Sequence, residues 1–251
     1  MRLINLVRSE FLKMKHTYFY SIHICIPIIG SIMVLMYYGT SKINIDAKIQ
    51  LYLGVISIAF PLLISIVTSQ VMKVEKDAGA YKEILSSEYG RISCILSKMI
   101  MLLVCGFISL LIAVGIFVFG IKYIFNQYSI SFMIYIKSIM IIFECQIIIY
   151  VLHAWLNLRF NCGISMLIGT FETVLSALLE TGLGDNIWQW IPSGINMRLN
   201  QYYILKSTSL SFIDKINENI CLGLRNSIVL TVLSVIIFIC WFNKYDAPIE
   251  N

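Results

Sequence analysis

Six long stretches of hydrophobic residues alternate with polar segments along this chain. A helix crosses a bilayer with about 17 to 25 mainly apolar residues, and each stretch has that length. Only helices and closed barrels satisfy their backbone polar groups within lipid. The pattern therefore predicts an all-α, polytopic membrane bundle of six transmembrane helices, over residues 18–38, 51–72, 97–120, 130–152, 164–180 and 226–242.

The composition supports this prediction and indicates a single domain. Hydrophobic residues make up 59% of the chain and charged residues only 13%, far from the composition of soluble proteins. With 4 prolines and no flexible linker, residues 1–251 are expected to form one transmembrane domain. The seven cysteines contain no CxxC pair, so we expect small buried hydrophobic residues, not disulfides or metal ligands.

The positions of lysine and arginine predict the orientation, because short cytoplasmic loops of membrane proteins are enriched in both. With the N-terminus inside, eleven such residues are cytoplasmic: Arg2, Arg8, Lys13, Lys15, Lys73, Lys76, Lys82, Arg91, Lys98, Arg159 and Lys244. The short external loops hold three: Lys42, Lys48 and Lys122. We therefore expect both termini in the cytoplasm. The net charge of +5 then reflects topology and contact with anionic lipid, and indicates no nucleic-acid partner.

The first 17 residues have the pattern of an amphipathic helix. Apolar residues recur at spacings of three and four, and the basic residues occupy other faces; the apolar ones are Leu3, Leu6, Val7, Phe11 and Met14. Such a helix lies in the membrane interface. We expect residues 1–17 to form an elbow helix that leads into the first span and contacts a cytoplasmic partner. A simple basic flank is the alternative.

The loop between spans two and three, residues 73–96, carries charges of both signs and one apolar stripe. The stripe falls at positions i, i+3, i+4 and i+8 of a short helix over 78–89 and comprises Tyr81, Ile84, Leu85 and Tyr89. Gly90 supplies a stop signal. A solvated linker needs no such stripe, whereas a helix that docks on a soluble subunit does. We expect these residues, with Glu75 and Lys76, to couple the chain to a cytoplasmic partner.

Spans two and five carry stripes of small and hydroxyl-bearing residues at helical spacing. Small residues let helices approach closely, and hydroxyl groups can donate hydrogen bonds across the contact. Packing within one chain is one interpretation. We predict instead a central seam between two membrane subunits, lined by Ser57, Pro61, Ser65, Gly169, Glu172 and Ser176.

Three charged residues fall inside predicted spans, where each costs about 2.5–3.5 kcal/mol near the bilayer centre on insertion scales. Lys137 and Glu144 are seven residues apart on one face of span four and are expected to pair, directly or through water. Glu172 lies in the middle of span five. We expect Glu172 to contact a cationic substrate, with a proton relay as the alternative.

The fifth connection, residues 181–225, is the longest and is expected to lie outside. Its aromatic residues suit the membrane–water interface, and its glycine and proline breaks predict short interfacial helices. We expect Glu180 and Asp185 to continue an acidic contact line from Glu172 towards the outside. Trp188 and Trp190 are predicted to contact the substrate there.

The motifs of several enzyme classes are missing from the sequence. It contains no GxxxxGK[ST] P-loop and no HExxH motif, and its three histidines, His16, His23 and His153, are scattered. No Ser/His/Asp set falls in a common loop. We therefore expect no catalytic residue, no metal site and no cofactor bound by this chain.

The elbow segment LVRSEFLKMKHT, the six spans, the charged loop after span two and the aromatic loop before span six resemble the ABC-2 type permeases over the whole chain. Within these, residues 6–15 and the EKDAG…ILS…SK stretch over 75–98 resemble the lantibiotic-immunity permeases, the subunits that protect bacteria from lanthionine peptides.

This resemblance implies a set of partners. Such permeases act as two membrane subunits, often non-identical, with two copies of a cytoplasmic ATPase that binds ATP and Mg²⁺. The helix over 78–89 would be the coupling helix. The implied substrate is a lanthionine or other cationic antimicrobial peptide, expelled from the bacterial plasma membrane to give immunity or resistance. Two alternatives remain: an ABC-2 exporter subunit for another amphiphile or drug, and a membrane sensor or assembly subunit without a transport path.

Overall fold

The computed structural model describes residues 2–79, 81–126, 131–208 and 213–246. Its α-helices are α1 (Arg2–Lys13), α2 (Phe19–Thr40), α3 (Ile45–Asp77), α4 (Lys82–Leu85), α5 (Arg91–Phe119), α6 (Phe132–Arg159), α7 (Cys162–Glu180), α8 (Pro192–Thr208) and α9 (Ile213–Asn243). Six of these, α2, α3, α5, α6, α7 and α9, are long and apolar enough to cross a membrane. The predicted all-α membrane bundle with six spans is confirmed. Met1, Ala80, Ile130 and residues 209–212, which fall in predicted elements or loops, lie outside the described residues.

The amphipathic pattern at the start of the chain forms α1, as predicted. A 3-10 turn, Met14–His16, connects it to α2. Met14 and Phe19, on either side of the bend, are 1% and 0% exposed, so packing fixes the angle between the two helices. The Thr17 hydroxyl donates to the Met14 carbonyl at 2.8 Å and closes the turn. The bundle therefore has one end that carries α1, the α1 end.

Helices α3 and α6 form the centre of the bundle. In each of them 61% of the most apolar 18-residue stretch is buried, whereas the figure for the peripheral α2 is 17%. Helix α7 packs along α3, and both carry small residues at the contact. A β-carbon on Gly169 would lie 2.4 Å from Ser65 Oγ and 3.1 Å from the Pro61 carbonyl oxygen, so glycine is needed for this close approach.

Pro27 interrupts the hydrogen-bond ladder of α2, because proline has no backbone N–H to donate. The carbonyl of His23, four residues earlier, instead accepts a hydrogen bond from Ser109 Oγ of α5 at 2.8 Å. Ser31 Oγ donates to the Pro27 carbonyl at 2.6 Å and lies 2.7 Å from the Tyr52 hydroxyl of α3. These bonds tie α2 to its neighbours. Beside them, an apolar cleft of about 290 Å³ lies between α2, α3 and α5.

The fifth connection contains helical segments, as predicted, and its longest helix enters the bundle. Two 3-10 turns, Gly182–Gly184 and Trp188–Trp190, precede α8, which packs against α3, α6, α7 and α9. Asn196 of α8 is 1% exposed, and Ser57 Oγ of α3 lies 3.3 Å from its Oδ1. Helix α8 therefore lies between the spans and does not rest on the surface of the bundle.

All seven cysteines are free thiols, and they differ in burial, with Cys162 intermediate. Cys94, Cys105 and Cys145 are buried, as predicted. Cys25, Cys221 and Cys240 are exposed on the outside of the bundle, which corrects the prediction for these three.

Candidate functional site

Four charged side chains, Glu10, Lys13, Glu75 and Lys98, form an ionic cluster at the α1 end. Lys98 is 1% exposed, and its Nζ lies 2.5 Å from Glu10 Oε2 and 2.5 Å from Glu75 Oε1. Lys13 Nζ donates to the same oxygen of Glu75 at 2.9 Å. Two ammonium groups thus neutralise two carboxylates, which is the condition for burying such charges. The ionic cluster joins α1, α3 and α5.

The ionic cluster also reaches the loop that follows α3, since Lys13 Nζ lies 3.7 Å from Glu83 Oε2 in α4. Burial lowers the pKa of Lys13, but its hydrogen bond to Glu75 and the charges of Glu10, Glu75 and Glu83 outweigh this, and the pKa is raised above its ordinary value. The ammonium therefore stays charged at neutral pH. The elbow helix and the loop after α3 form one connected unit.

The helix in this loop is shorter than the pattern predicted. Helix α4 covers Lys82–Leu85, not residues 78–89. Gly79 and Gly90 adopt φ angles of 150° and 85°, and Tyr81 adopts a left-handed φ of 67°. These positive φ angles turn the backbone on both sides of the single helical turn. The apolar stripe is therefore not the continuous helix face that its spacing indicated.

Two members of the stripe are buried in the chain's own core. Tyr81 is 6% exposed and Ile84 is 2% exposed, and both pack in the main hydrophobic cluster. Neither presents a surface for a soluble subunit, contrary to the prediction. Glu75 is also occupied, because it belongs to the ionic cluster.

The rest of the predicted coupling set lies nearer the surface. Leu85 is half-buried, Lys76 is exposed and Tyr89 is 54% exposed. Tyr89 lines a surface depression together with Asn5, Leu6, Ser9 and Glu88. This depression lies between α1 and the segment that follows α4. A partner that binds in this depression would contact both elements at once.

The two small-residue stripes pack against each other within one chain, which corrects the predicted seam between two subunits. Ser57, Ser65 and Ser176 are 0% exposed, and Gly169 lies against Ser65 and Pro61. Because α3 and α7 both carry small residues at matching heights, they approach closely and leave these residues no free surface.

Glu172 belongs to a polar chain between α6 and α7, formed by Asn157, Ser165, His153 and Glu172. His153 Nε2 lies 3.2 Å from Glu172 Oε2, and its Nδ1 lies 2.9 Å from Ser165 Oγ. Asn157 Nδ2 donates to Ser165 Oγ at 3.0 Å. Glu172 is therefore already partnered within the chain, although 16% of its side chain is exposed.

The predicted pairing of Lys137 with Glu144 is wrong for a direct contact. The Glu144 carboxylate accepts hydrogen bonds from Thr231 Oγ1 at 2.7 Å and from Ser227 Oγ, both on α9. Lys137 Nζ lies 6.0 Å from the ring centroid of Tyr203 on α8. Glu144 and Lys137 therefore contact different neighbouring helices, which the spacing along α6 alone could not indicate.

The residues of the predicted acidic contact line differ in their partners and in their exposure. Arg198 Nη2 lies 2.8 Å from Asp185 Oδ1, so Asp185 is paired. Arg198 Nε donates to the carbonyl of Leu179 at 2.9 Å, which satisfies an otherwise unpaired group at the end of α7. Glu180 is half-buried at the same helix end. Glu172 and Asp185 therefore have partners within the chain, but 61% of the Asp185 side chain remains exposed.

The two predicted tryptophans differ in exposure. Trp188 is 3% exposed and packs with Ile195 and Leu199 of α8, so it offers no external contact, contrary to the prediction. Trp190 is 64% exposed. Only Trp190 of this pair presents its ring at the surface.

A sequence model of the family described as "ABC-2 family transporter protein" matches residues 6–181, well over half of the 251-residue chain. The chain belongs to the ABC-2 transporter family. The match extends from α1 to the end of α7 and leaves α8 and α9 outside it. No curated protein matches the chain.

As an ABC-2 family member, the chain is a multi-pass membrane subunit of a transporter, in agreement with its six apolar helices. Family membership implies partnership with an ABC ATPase. The described part of this ABC-2 subunit contains no group of three or more His, Cys, Asp or Glu side chains arranged to hold a metal ion.

The structure of this ABC-2 subunit also brings into clusters four residues that were not predicted as site residues: Glu10, Lys98, His153 and Asn157. Lys98 and His153 each stand in an apolar stretch, where a charged or titratable side chain needs a partner. That requirement was the available signal. The identity of each partner depended on how the helices pack.

Proposed function

We propose that this ABC-2 chain is one of two permease subunits of an ATP-driven exporter, the second being non-identical. Two copies of a cytoplasmic ATPase would bind ATP and Mg²⁺ and supply all catalytic residues. The observation that carries the proposal is the family match over residues 6–181. The absence of a P-loop from the sequence agrees with ATP chemistry on a partner.

The proposed contact with the ATPase is the depression lined by Tyr89, Glu88, Asn5, Leu6 and Ser9. The ionic cluster ties the α1 side of this depression to α3 and α5, so a displacement of α1 would reach two spans. The ion pair of Lys13 with Glu83 at 3.7 Å links α1 to the loop. An exposed aromatic residue beside polar groups is a common anchor in protein interfaces. Tyr89 is therefore the proposed anchor.

The test is co-purification of the ATPase with a Tyr89→Ala variant. Truncation of an interface anchor typically costs about 2 kcal/mol or more, so we expect at least a tenfold loss of the ATPase. Tyr123→Ala is the matched control, because Tyr123 is 58% exposed and follows α5 at the opposite end from α1. Equal recovery of the ATPase with both variants would contradict the proposed surface.

We further propose a lanthionine or other cationic peptide as the substrate. The support is the resemblance of residues 6–15 and 75–98 to lantibiotic-immunity permeases. Trp190, Glu180 and Asp185 are the remaining external candidates, since Trp188 is buried. Cells that produce the complete complex should survive a cationic lanthionine peptide better than cells with an ATPase-inactive complex. Trp190→Ala should reduce that protection without reducing expression.

A second candidate substrate is an amphiphile with a hydrocarbon tail. The apolar cleft between α2, α3 and α5 favours it, because a lining of side chains such as Ile26, Val55 and Leu63 suits a tail and not a charged peptide. Stimulation of the complex's ATPase activity by a long-chain amphiphile, and not by the peptide, would support this candidate. No stimulation by either would favour a sensor or assembly subunit.

A further inference from the structure

The apolar cleft between α2, α3 and α5 opens on the outer surface of the bundle. Its lining includes Ile26 and Met33 of α2 and Val55 of α3, which are 40%, 65% and 49% exposed. All three belong to helices that are long and apolar enough to cross a membrane, and none lies near a helix end. A bilayer around these spans therefore brings hydrocarbon chains, and not water, to the mouth of the cleft.

Small residues and the packing of α2 create the space. Helix α2 packs mainly on α5, whereas its side towards α3 packs less closely. Small residues line the cleft on all three helices: Gly30 on α2, Ala59 on α3 and Gly106 on α5. A β-carbon on Gly30 would meet no atom of another element within 4 Å. The cleft can therefore hold a chain of atoms that the protein itself does not supply.

The polar groups of the lining offer little to water or to a charged molecule. The hydroxyl groups of Ser31, Tyr52 and Ser109 each donate to a backbone carbonyl, at 2.6, 2.8 and 2.8 Å. Among the described residues of the lining there is no Lys, Arg, Asp or Glu. Apolar cavities in proteins stay dry and take up apolar molecules, as an engineered cavity of about 150 Å³ does. The larger volume of this cleft, about 290 Å³, suits a hydrocarbon chain.

We infer that the cleft holds an acyl tail of a bilayer phospholipid, which stays with this ABC-2 subunit and is not transported. The lining follows α2 from Ile22 to Val34, roughly 18 Å at the helical rise, so an extended tail can lie along it. An unfilled cleft forfeits the dispersion contacts of its lining, and a tail restores them. Because the lining carries no charge, it recognises the tail and leaves the headgroup outside.

The resident tail is distinct from the amphiphile that is the second candidate substrate. Both are hydrocarbon chains, and the same lining suits both. A transported amphiphile leaves the cleft when the complex hydrolyses ATP, whereas a resident tail remains. The two are therefore separated by their response to ATP.

The test is photo-labelling of the 251-residue chain in phosphatidylcholine nanodiscs that contain a phosphatidylcholine with a diazirine in its tail. Ile64 and Ala113 line the cleft but are only 1% and 7% exposed, so lipid that merely surrounds the bundle does not reach them. We expect mass spectrometry to find label on both. Ile237 of α9, which is 64% exposed, reports general contact with lipid. Label on Ile237 without label on Ile64 and Ala113 would overturn the inference.

The headgroup provides a second comparison. Phosphatidylglycerol with the same diazirine-bearing tail should label Ile64 as strongly as phosphatidylcholine does, because the lining contains no charged side chain to distinguish them. Labelling of Ile64 by only one of the two lipids would contradict recognition through the tail.

A matched pair of variants tests whether the label depends on the space in the cleft. Gly30→Leu fills that space and should remove the label from Ile64 and leave it on Ile237. Gly115→Leu is the control, because a β-carbon there also meets nothing within 4 Å, but Gly115 is not part of the lining. Equal labelling of Ile64 in the two variants would overturn the inference. If Gly30→Leu fails to fold, the pattern of label in the unaltered chain still decides.

The complete complex distinguishes the resident tail from other occupants. With a resident phospholipid, the label on Ile64 is the same with and without ATP. Loss of label during ATP hydrolysis, but not in an ATPase-inactive complex, would assign the cleft to a transported amphiphile. Loss of label whenever the second membrane subunit is present would show that this subunit covers the cleft. Either result overturns the resident tail, and neither removes the ATPase activity on which the proposed exporter depends.

Discussion

At Gly169 the backbone of α7 approaches α3 so closely that no β-carbon fits without movement of Ser65 or Pro61. Gly169→Ala should therefore destabilise the bundle by about 1–3 kcal/mol, the usual cost of overpacking a well-packed contact. Thermal unfolding of the purified protein in detergent measures this. Ser65→Gly in the same chain should recover part of the loss, since it removes the two nearest atoms.

The matched control at the residue scale is Gly115→Ala on α5, where a β-carbon would meet nothing within 4 Å. It should raise stability by up to about 1 kcal/mol, because alanine favours the helix over glycine. Opposite signs for the two substitutions are expected. The same sign and size for both would mean that α3 and α7 do not approach as closely as described.

At the scale of elements, the ionic cluster determines how α1 is attached to the bundle. Lys98→Met leaves Glu10 and Glu75 with one cation between them, and breaking a buried ion pair costs about 3–5 kcal/mol. We expect α1 to detach first, since Glu10 of α1 loses its buried ion pair with Lys98. Hydrogen exchange should then become faster in α1 and unchanged in the contact of α6 with α7.

The control for this prediction is Lys82→Met, because Lys82 lies in α4 with its side chain exposed. Exchange in α1 should be the same as in the unaltered chain. If Lys98→Met also leaves α1 protected, hydrophobic contacts at Met14 and Phe19 are sufficient to hold it and the ionic cluster is dispensable.

At the scale of the whole molecule, the asymmetry of lysine and arginine predicts which end faces the cytoplasm. In a chain whose seven cysteines are replaced by alanine, a membrane-impermeant maleimide should label Lys206→Cys in intact cells. Lys82→Cys should be labelled only after permeabilisation. Both positions are exposed, so accessibility to the reagent differs only through the membrane. Labelling of both from the same side would contradict the six-span topology.

Patterns that repeat along one element could be read from the sequence by itself. The six apolar stretches determined six membrane-spanning helices, because lipid allows few other ways to satisfy the backbone. The amphipathic spacing over residues 1–17 determined α1, and the glycine and proline breaks indicated the short helical segments after α7. These signals are local: each depends on residues within a few turns of one another.

Only the tertiary structure decided which residues meet across helices. The sequence placed Lys137 near Glu144, but the supply of hydroxyl groups from α9 gave Glu144 other partners. It suggested that the small-residue stripes face a second subunit, whereas α3 and α7 use them on each other. The pairing of His153 with Glu172 joins two helices at a height that no spacing along one helix encodes. Helix packing sets these contacts, because inside lipid the charge and hydrogen-bonding groups of one helix are satisfied by whichever neighbour lies against them.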